Sequence, residues 1–192
     1  DVTWLHYIAA FYSLVPVFIA FLFPLLFLWT RGTRELLAVV FFWLQLPVVL
    51  VLKAIFAERR PEGSCLVSCG MPSGHTIDSM GFVFWIALEI IMLRSLSLRQ
   101  KSLWLAAWGV FLLPVGWSRT FFLDHSWAQI IVGGAVGMIC GGLWYLFLRL
   151  RLVVWALKLL CAHLRFINPN FPPDFQEEAP WVVGPGYGTE RG

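Results

Sequence analysis

Charge is scarce in this chain. Only 13% of its 192 residues are Asp, Glu, Lys or Arg, while 59% are hydrophobic. A soluble domain carries about 25% charged and about 45–50% apolar residues. The surplus apolar surface therefore excludes an ordinary water-soluble globule and must face lipid. A basic tract is missing too. The net charge is +3, but the Lys and Arg residues lie in short loops between apolar runs, which excludes a nucleic-acid partner. The four cysteines make no disulfide framework. No group of residues has metal-ligand spacing, so neither a metal nor any other cofactor is expected. There is no internal repeat. The chain opens at Asp1 rather than Met, as a trimmed or partial chain does. Its first apolar run is too long for a signal peptide and lacks the small-residue cleavage pattern.

Long apolar runs are what the chain has instead. A membrane-spanning helix needs roughly 20 apolar residues. Candidate spans cover 5–29, 36–57, 76–93, 103–117 (extendable to Phe121 and Phe122) and 130–148. The expected fold is all-α, a polytopic transmembrane bundle of about five spans. Segment 150–166 is apolar but broken by Arg151, Lys158, His163 and Arg165, which predicts an amphipathic interfacial helix or a poor sixth span. Residues 1–166 then form the membrane domain. Residues 167–192, rich in Pro and Gly and without periodicity, read as a disordered cytosolic tail. Trp4, Trp29, Trp104, Trp117 and Trp127 lie near span ends, where they anchor the interface or simply fill lipid-facing surface. Gly133, Gly137 and Gly141 leave one helix face without side chains, which suits close helix packing. Oligomeric state stays open.

Sidedness follows from loop charge. With five spans, Arg31, Arg34, Arg94, Arg99, Lys101, Arg149, Arg151, Lys158 and Arg165 fall on one side. The positive-inside rule puts that side in the cytosol. The same parity puts segments 58–75 and 118–129 together on the opposite, lumenal or external side. Cys65 and Cys69 share this compartment, which permits a disulfide, although the loop would be very short.

Three strings at span ends carry chemistry: Lys53 to Arg60-Pro61, then Pro72-Ser73-Gly74-His75, then Ser118-Arg119 with His125 six positions later. Hydrolysis of a phosphate ester or anhydride needs fixed cations and N–H donors around the transferring group, a nucleophile opposite the leaving group, and an acid for the leaving oxygen. Lys53, Arg60 and Arg119 supply charge, Arg in a forked geometry suited to two phosphate oxygens. Ser73, Gly74 and the start of the following helix supply donors. His75 and His125 supply acid and nucleophile. Singly, each string has a plainer reading: Lys53 as a snorkelling lysine, Pro72-Ser73-Gly74 as a turn with a cap, His125 as an interfacial histidine. Their order and shared side favour the joint reading.

The three strings resemble the signature of the type 2 phosphatidic acid phosphatase superfamily, integral membrane lipid phosphatases that use no metal. The resemblance implies His125 as the nucleophile that becomes phosphohistidine and His75 as general acid. It implies Lys53, Arg60, Ser73, Gly74 and Arg119 as holders of the phosphoryl oxygens. One position departs: Gln129 stands where the family usually has the Asp that orients the nucleophile. Gln fixes the ring's tautomer but brings no charge, and Asp124, beside His125, is a candidate to compensate. Trp127, Gln129, Gly133 and Gly134 resemble the dolichyldiphosphatase branch, as do Leu14 to Phe18, Arg34-Glu35-Leu36 and Gly70-Met71-Pro72. That branch acts on dolichyl diphosphate at the lumenal face of the endoplasmic reticulum. The resemblance thus implies a lipid diphosphate substrate and a role in recycling the lipid carrier of N-glycosylation. Phosphatidate or a sphingoid-base phosphate, a sugar phosphate, and a catalytically weak lipid-binding scaffold are the competing readings. Asp78 is expected either to hydrogen-bond His75 or to sit on the helix dipole. Glu89 is expected to lie protonated between helices.

Overall fold

A computed structural model describes residues 2–164 and 166–169; residues 170–192, most of the expected tail, lie outside the described residues, as does Arg165. Seven helices follow in order: α1 (Trp4–Thr30), α2 (Thr33–Phe56), α3 (Gly74–Met92), α4 (Leu98–Leu112), α5 (Pro114–Phe121), α6 (Trp127–Leu148) and α7 (Arg151–His163). The fold is all-α, and the chain is an integral membrane protein. Helices α1, α2, α3 and α6 are each long and apolar enough to cross a membrane. The expected fourth span is broken in two. Pro114 lacks the N–H that a continuous helix would need, so it opens a new helix at its first position instead. Together α4 and α5 still traverse the bundle. Lys101 on α4 donates to the Ile91 carbonyl near the end of α3, while the last turn of α5 brings Arg119 to the cavity that His75 of α3's first turn also lines.

The pair α3 and α6 forms the centre. Both helices start on the same side, and the α6 glycines meet α3 backbone directly. A Cβ on Gly133 would lie 2.8 Å from the Ser73 carbonyl oxygen, one on Gly137 2.4 Å from that of Ile77, and one on Gly141 2.4 Å from that of Gly81. The glycine face is thus a packing seam within the chain. Below it an aromatic cluster fills the core. Phe41 of α2 lies 5.1 Å from Phe82, 5.3 Å from Trp85 and 5.6 Å from Trp144 between ring centroids.

The end of the bundle remote from the strings is tied by polar contacts. Glu89, expected to lie protonated between helices, has a cationic partner instead: its carboxylate pairs with Arg149 at 3.1 Å and accepts from the Trp85 indole at 3.1 Å. Helix α7 is a 13-residue amphipathic helix, too short for a sixth span, with Val154 and Cys161 buried. After it, Asn168 bonds the α1–α2 turn through Arg31, Thr33 and Thr30.

Substituting Gly137→Val places side-chain atoms against α3 backbone, which cannot yield as a side chain can. Overpacking of this kind costs about 1–3 kcal/mol. We expect a lower thermal midpoint in detergent, whereas Gly134→Ala, whose Cβ would find its nearest neighbour, Met80, at an ordinary 3.7 Å, leaves the midpoint unchanged or raised.

Candidate active site

The three strings converge. Lys53, Arg60, Gly74, His75, Arg119 and His125 line one cavity of about 320 Å³. Each arrives on a different piece of scaffold. Lys53 sits in the last turn of α2 and donates to the Cys69 carbonyl oxygen. Arg60 follows in the loop, with Nε on the Ser68 carbonyl oxygen at 2.9 Å and Nη1 on the Asp124 carbonyl oxygen at 2.7 Å. Arg119 lies in the last turn of α5 and pairs with Asp124 at 2.6 Å. His75 stands in the first turn of α3, where the helix N-terminus favours an anion. Ser73 is placed differently. It is fully buried, its hydroxyl accepts from Thr76 at 3.0 Å, its N–H donates to the Gln129 carbonyl at 3.2 Å, and it does not line the cavity.

The geometry around His125 fixes its tautomer. Its Nδ1 lies 3.1 Å from Gln129 Oε1, and its Nε2 lies 3.2 Å from Arg60 Nη1. A guanidinium only donates, so Nε2 carries the lone pair and Nδ1 the proton. The Gln129 amide has one orientation that satisfies its neighbours. Its Oε1 faces His125 Nδ1–H and the Ser126 N–H at 3.2 Å; its Nε2 faces two acceptors, Glu58 Oε1 at 2.8 Å and the Arg59 carbonyl at 2.9 Å. Burial, then the positive charge of Arg60, holds His125 down to about 4; Lys53 and Arg119 add to this, while the Gln129 bond opposes it. The ring is therefore neutral near pH 7, with its free nitrogen turned toward the cations.

The open readings around the cavity resolve in the described residues. Asp124 does not assist His125; its carboxylate is committed to Arg119. Asp78 lines the cavity but makes no hydrogen bond to His75 among the described residues. Cys65 and Cys69 are both free thiols, so the short loop carries no disulfide. Among the described residues no group of three or more His, Cys, Asp and Glu is placed to hold a metal. Two things were missed. Ser126 and Gln129 form a reciprocal cap at the start of α6, a Ser-x-x-Gln pattern visible in the sequence. Glu58, inside the first string, touches Gln129.

Comparison with known proteins places this site in a family. The PAP2 superfamily profile matches residues 36–152. The chain belongs to the PAP2 superfamily. It is a phosphatase of that superfamily, and the match contains every residue lining the cavity. The chain is 28% identical over 186 residues to a dolichyldiphosphatase of Saccharomyces cerevisiae, covering 88% of this chain and 76% of that protein. It is 26% identical over 152 residues to dolichyldiphosphatase 1 of Homo sapiens, covering 73% of this chain and 64% of that protein. Glucose-6-phosphatase 3 of Mus musculus is 32% identical over 130 residues, 60% of this chain and 37% of that protein. The chain thus spans just under two thirds of the human relative's length. No solved structure is significantly similar to it.

Removing a cation from beside an imidazole raises its pKa. The Arg60→Gln variant is expected to move the His125 titration upward, from about 4 toward the ordinary 6.5. Nitrogen-15 NMR of labelled histidine, assigned by difference from His125→Gln, reads the shift. An unmoved titration would show that Arg60 does not set the ring's charge.

Proposed function

We propose that the chain hydrolyses dolichyl or a related polyprenyl diphosphate to the monophosphate and inorganic phosphate. One observation carries this reading: the cavity has two unlike halves. One is cationic, with Lys53, Arg60 and Arg119. The other is an apolar wall of Phe42, Trp43, Leu46 and Val49 from the membrane-spanning part of α2. At 1.5 Å rise per residue, Trp43 lies about 15 Å along α2 from Lys53. Trp43 and Leu46 are also half exposed toward lipid. A diphosphate headgroup fits the first half and a long apolar chain the second. A sugar would find no hydroxyl partners on that wall. The names of the yeast and human relatives support the same substrate.

In the proposed reaction His125 Nε2 attacks the terminal phosphorus. An N–P bond forms, the P–O bond to the leaving phosphate breaks, and His75 gives that oxygen its proton. Arg60 turns from Nε2 to a phosphoryl oxygen as the substrate enters. Water then attacks the phosphohistidine, loses its proton to His75, and releases inorganic phosphate. Lys53, Arg60, Arg119 and the N–H groups at Gly74 hold the charge that gathers on the oxygens. The bundle's far end carries Arg31, Arg34, Arg94, Arg99, Lys101, Arg149, Arg151 and Lys158. The positive-inside rule supports a cytosolic far end and a site open to the lumen of the endoplasmic reticulum, where carrier lipid released by N-glycosylation would be recycled.

Purified protein should release phosphate from dolichyl diphosphate faster than from phosphatidate, and none from glucose 6-phosphate. Chelator should leave the rate unchanged, and His125→Ala should lower it by at least ~1000-fold, the scale of losing a covalent nucleophile. A preference for phosphatidate would replace the substrate; full activity of His125→Ala would remove the nucleophile.

A further inference from the structure

Glu58 lies within the first string yet takes no part in the phosphate cradle. It forms no ion pair with the adjacent Arg59 or Arg60 among the described residues; its side chain meets Gln129 Nε2 at 2.8 Å. Its backbone carbonyl accepts from Gly70 N–H at 2.7 Å. Gly70 in turn must lack a side chain, because a Cβ there would come within 2.6 Å of the Gln129 amide. The loop is therefore folded around the contact between Glu58 and Gln129. Gln129 itself is 1% exposed and hands its oxygen to His125 Nδ1.

We propose that Glu58 is a positioning residue whose carboxylate acts on His125 through the Gln129 amide. Hydrogen bonds in a chain polarise one another. A carboxylate accepting from one end of an amide makes the carbonyl at the other end a better acceptor. When Nε2 bonds to phosphorus, the ring gains positive charge and its Nδ1–H needs that acceptor most. The groups facing His125 directly, Arg60, Lys53 and Arg119, are all cations, and Asp124 is held by Arg119. Glu58 is thus the carboxylate coupled to the nucleophile by hydrogen bonds. It touches no substrate, so the relay changes turnover rather than binding. This inference rests on the phosphatase reading above.

The test exchanges the two partners. Glu58→Gln keeps an acceptor at position 58 but removes the charge; kcat for dolichyl diphosphate should fall about tenfold, the effect of weakening one charged hydrogen bond, with KM unchanged. Gln129→Glu alone sets two carboxylates together and should be equally poor. The double variant Glu58→Gln with Gln129→Glu restores one carboxylate and one amide, now with the charge beside His125, and should raise kcat above either single variant, at a higher KM because that carboxylate now faces the incoming phosphates. NMR of the His125 Nδ1–H reads the same relay without substrate: the resonance should move upfield in Glu58→Gln and downfield again in the double variant. Wild-type kcat in Glu58→Gln with an unmoved resonance, or a folded double variant no more active than either single one, overturns the relay. A wild-type protein that releases no phosphate while its Nδ1–H responds as described refutes the substrate reading and leaves the relay standing.

Discussion

The backbone contact between α3 and α6 is the constraint on which the site depends. His75 opens one helix, and His125 lies two residues before the other. Two imidazoles can address one phosphorus atom only if those helix starts are brought together. Side chains on both faces would hold helix axes about 8–10 Å apart. Gly133, Gly137 and Gly141 remove them from one face. In a membrane, where apolar burial drives no association, such close approach through small residues is what holds helices together. The Ser73 N–H to Gln129 carbonyl bond, which joins the two starts at 3.2 Å, is a consequence of that approach.

The charges are organised so that the cradle stays positive. Lys53 and Arg60 bond to backbone carbonyls of Cys69, Ser68 and Asp124 rather than to carboxylates. A carbonyl satisfies a donor without cancelling its charge. Arg119 alone has an acidic partner, Asp124. Its Nε is buried with no partner among the described residues, a cost of at least about 1 kcal/mol for a charged donor. A phosphoryl oxygen would supply the missing acceptor. Held in this field and away from water, His125 stays neutral and keeps its lone pair.

Much of this was legible in the sequence. Apolar runs gave the helices within a few residues, because a span's length is set by bilayer thickness. Loop parity brought Lys53, Arg60, His75, Arg119 and His125 to one side, and the cavity contains them all. What periodicity could not give was the pairing of polar groups across loops. Asp124 neighbours His125 in sequence but reaches Arg119 instead. Glu89 read as a protonated acid between helices because its partner, Arg149, lies 60 positions away. Ser73 read as a phosphate donor; its hydroxyl accepts from Thr76 and its N–H bonds the Gln129 carbonyl, contacts that sequence could not show. The break at Pro114 was visible in the sequence, yet hydropathy alone ran through it.

The relay also gives a reason for Gln129. A carboxylate bonded directly to His125 would lie within about 3 Å of the ring and would raise its pKa. It would also draw on Arg60, whose Nη1 sits on the same ring, and repel an incoming phosphate group. An amide interposed between carboxylate and imidazole roughly doubles the separation of charge and ring. Coulomb interaction falls inversely with distance, so the direct attraction and repulsion are about halved. The hydrogen-bond chain still fixes the tautomer and strengthens when the ring becomes charged. A cradle of fixed cations gains from keeping its own carboxylate behind an amide, because less of its positive charge is cancelled before a phosphate group arrives.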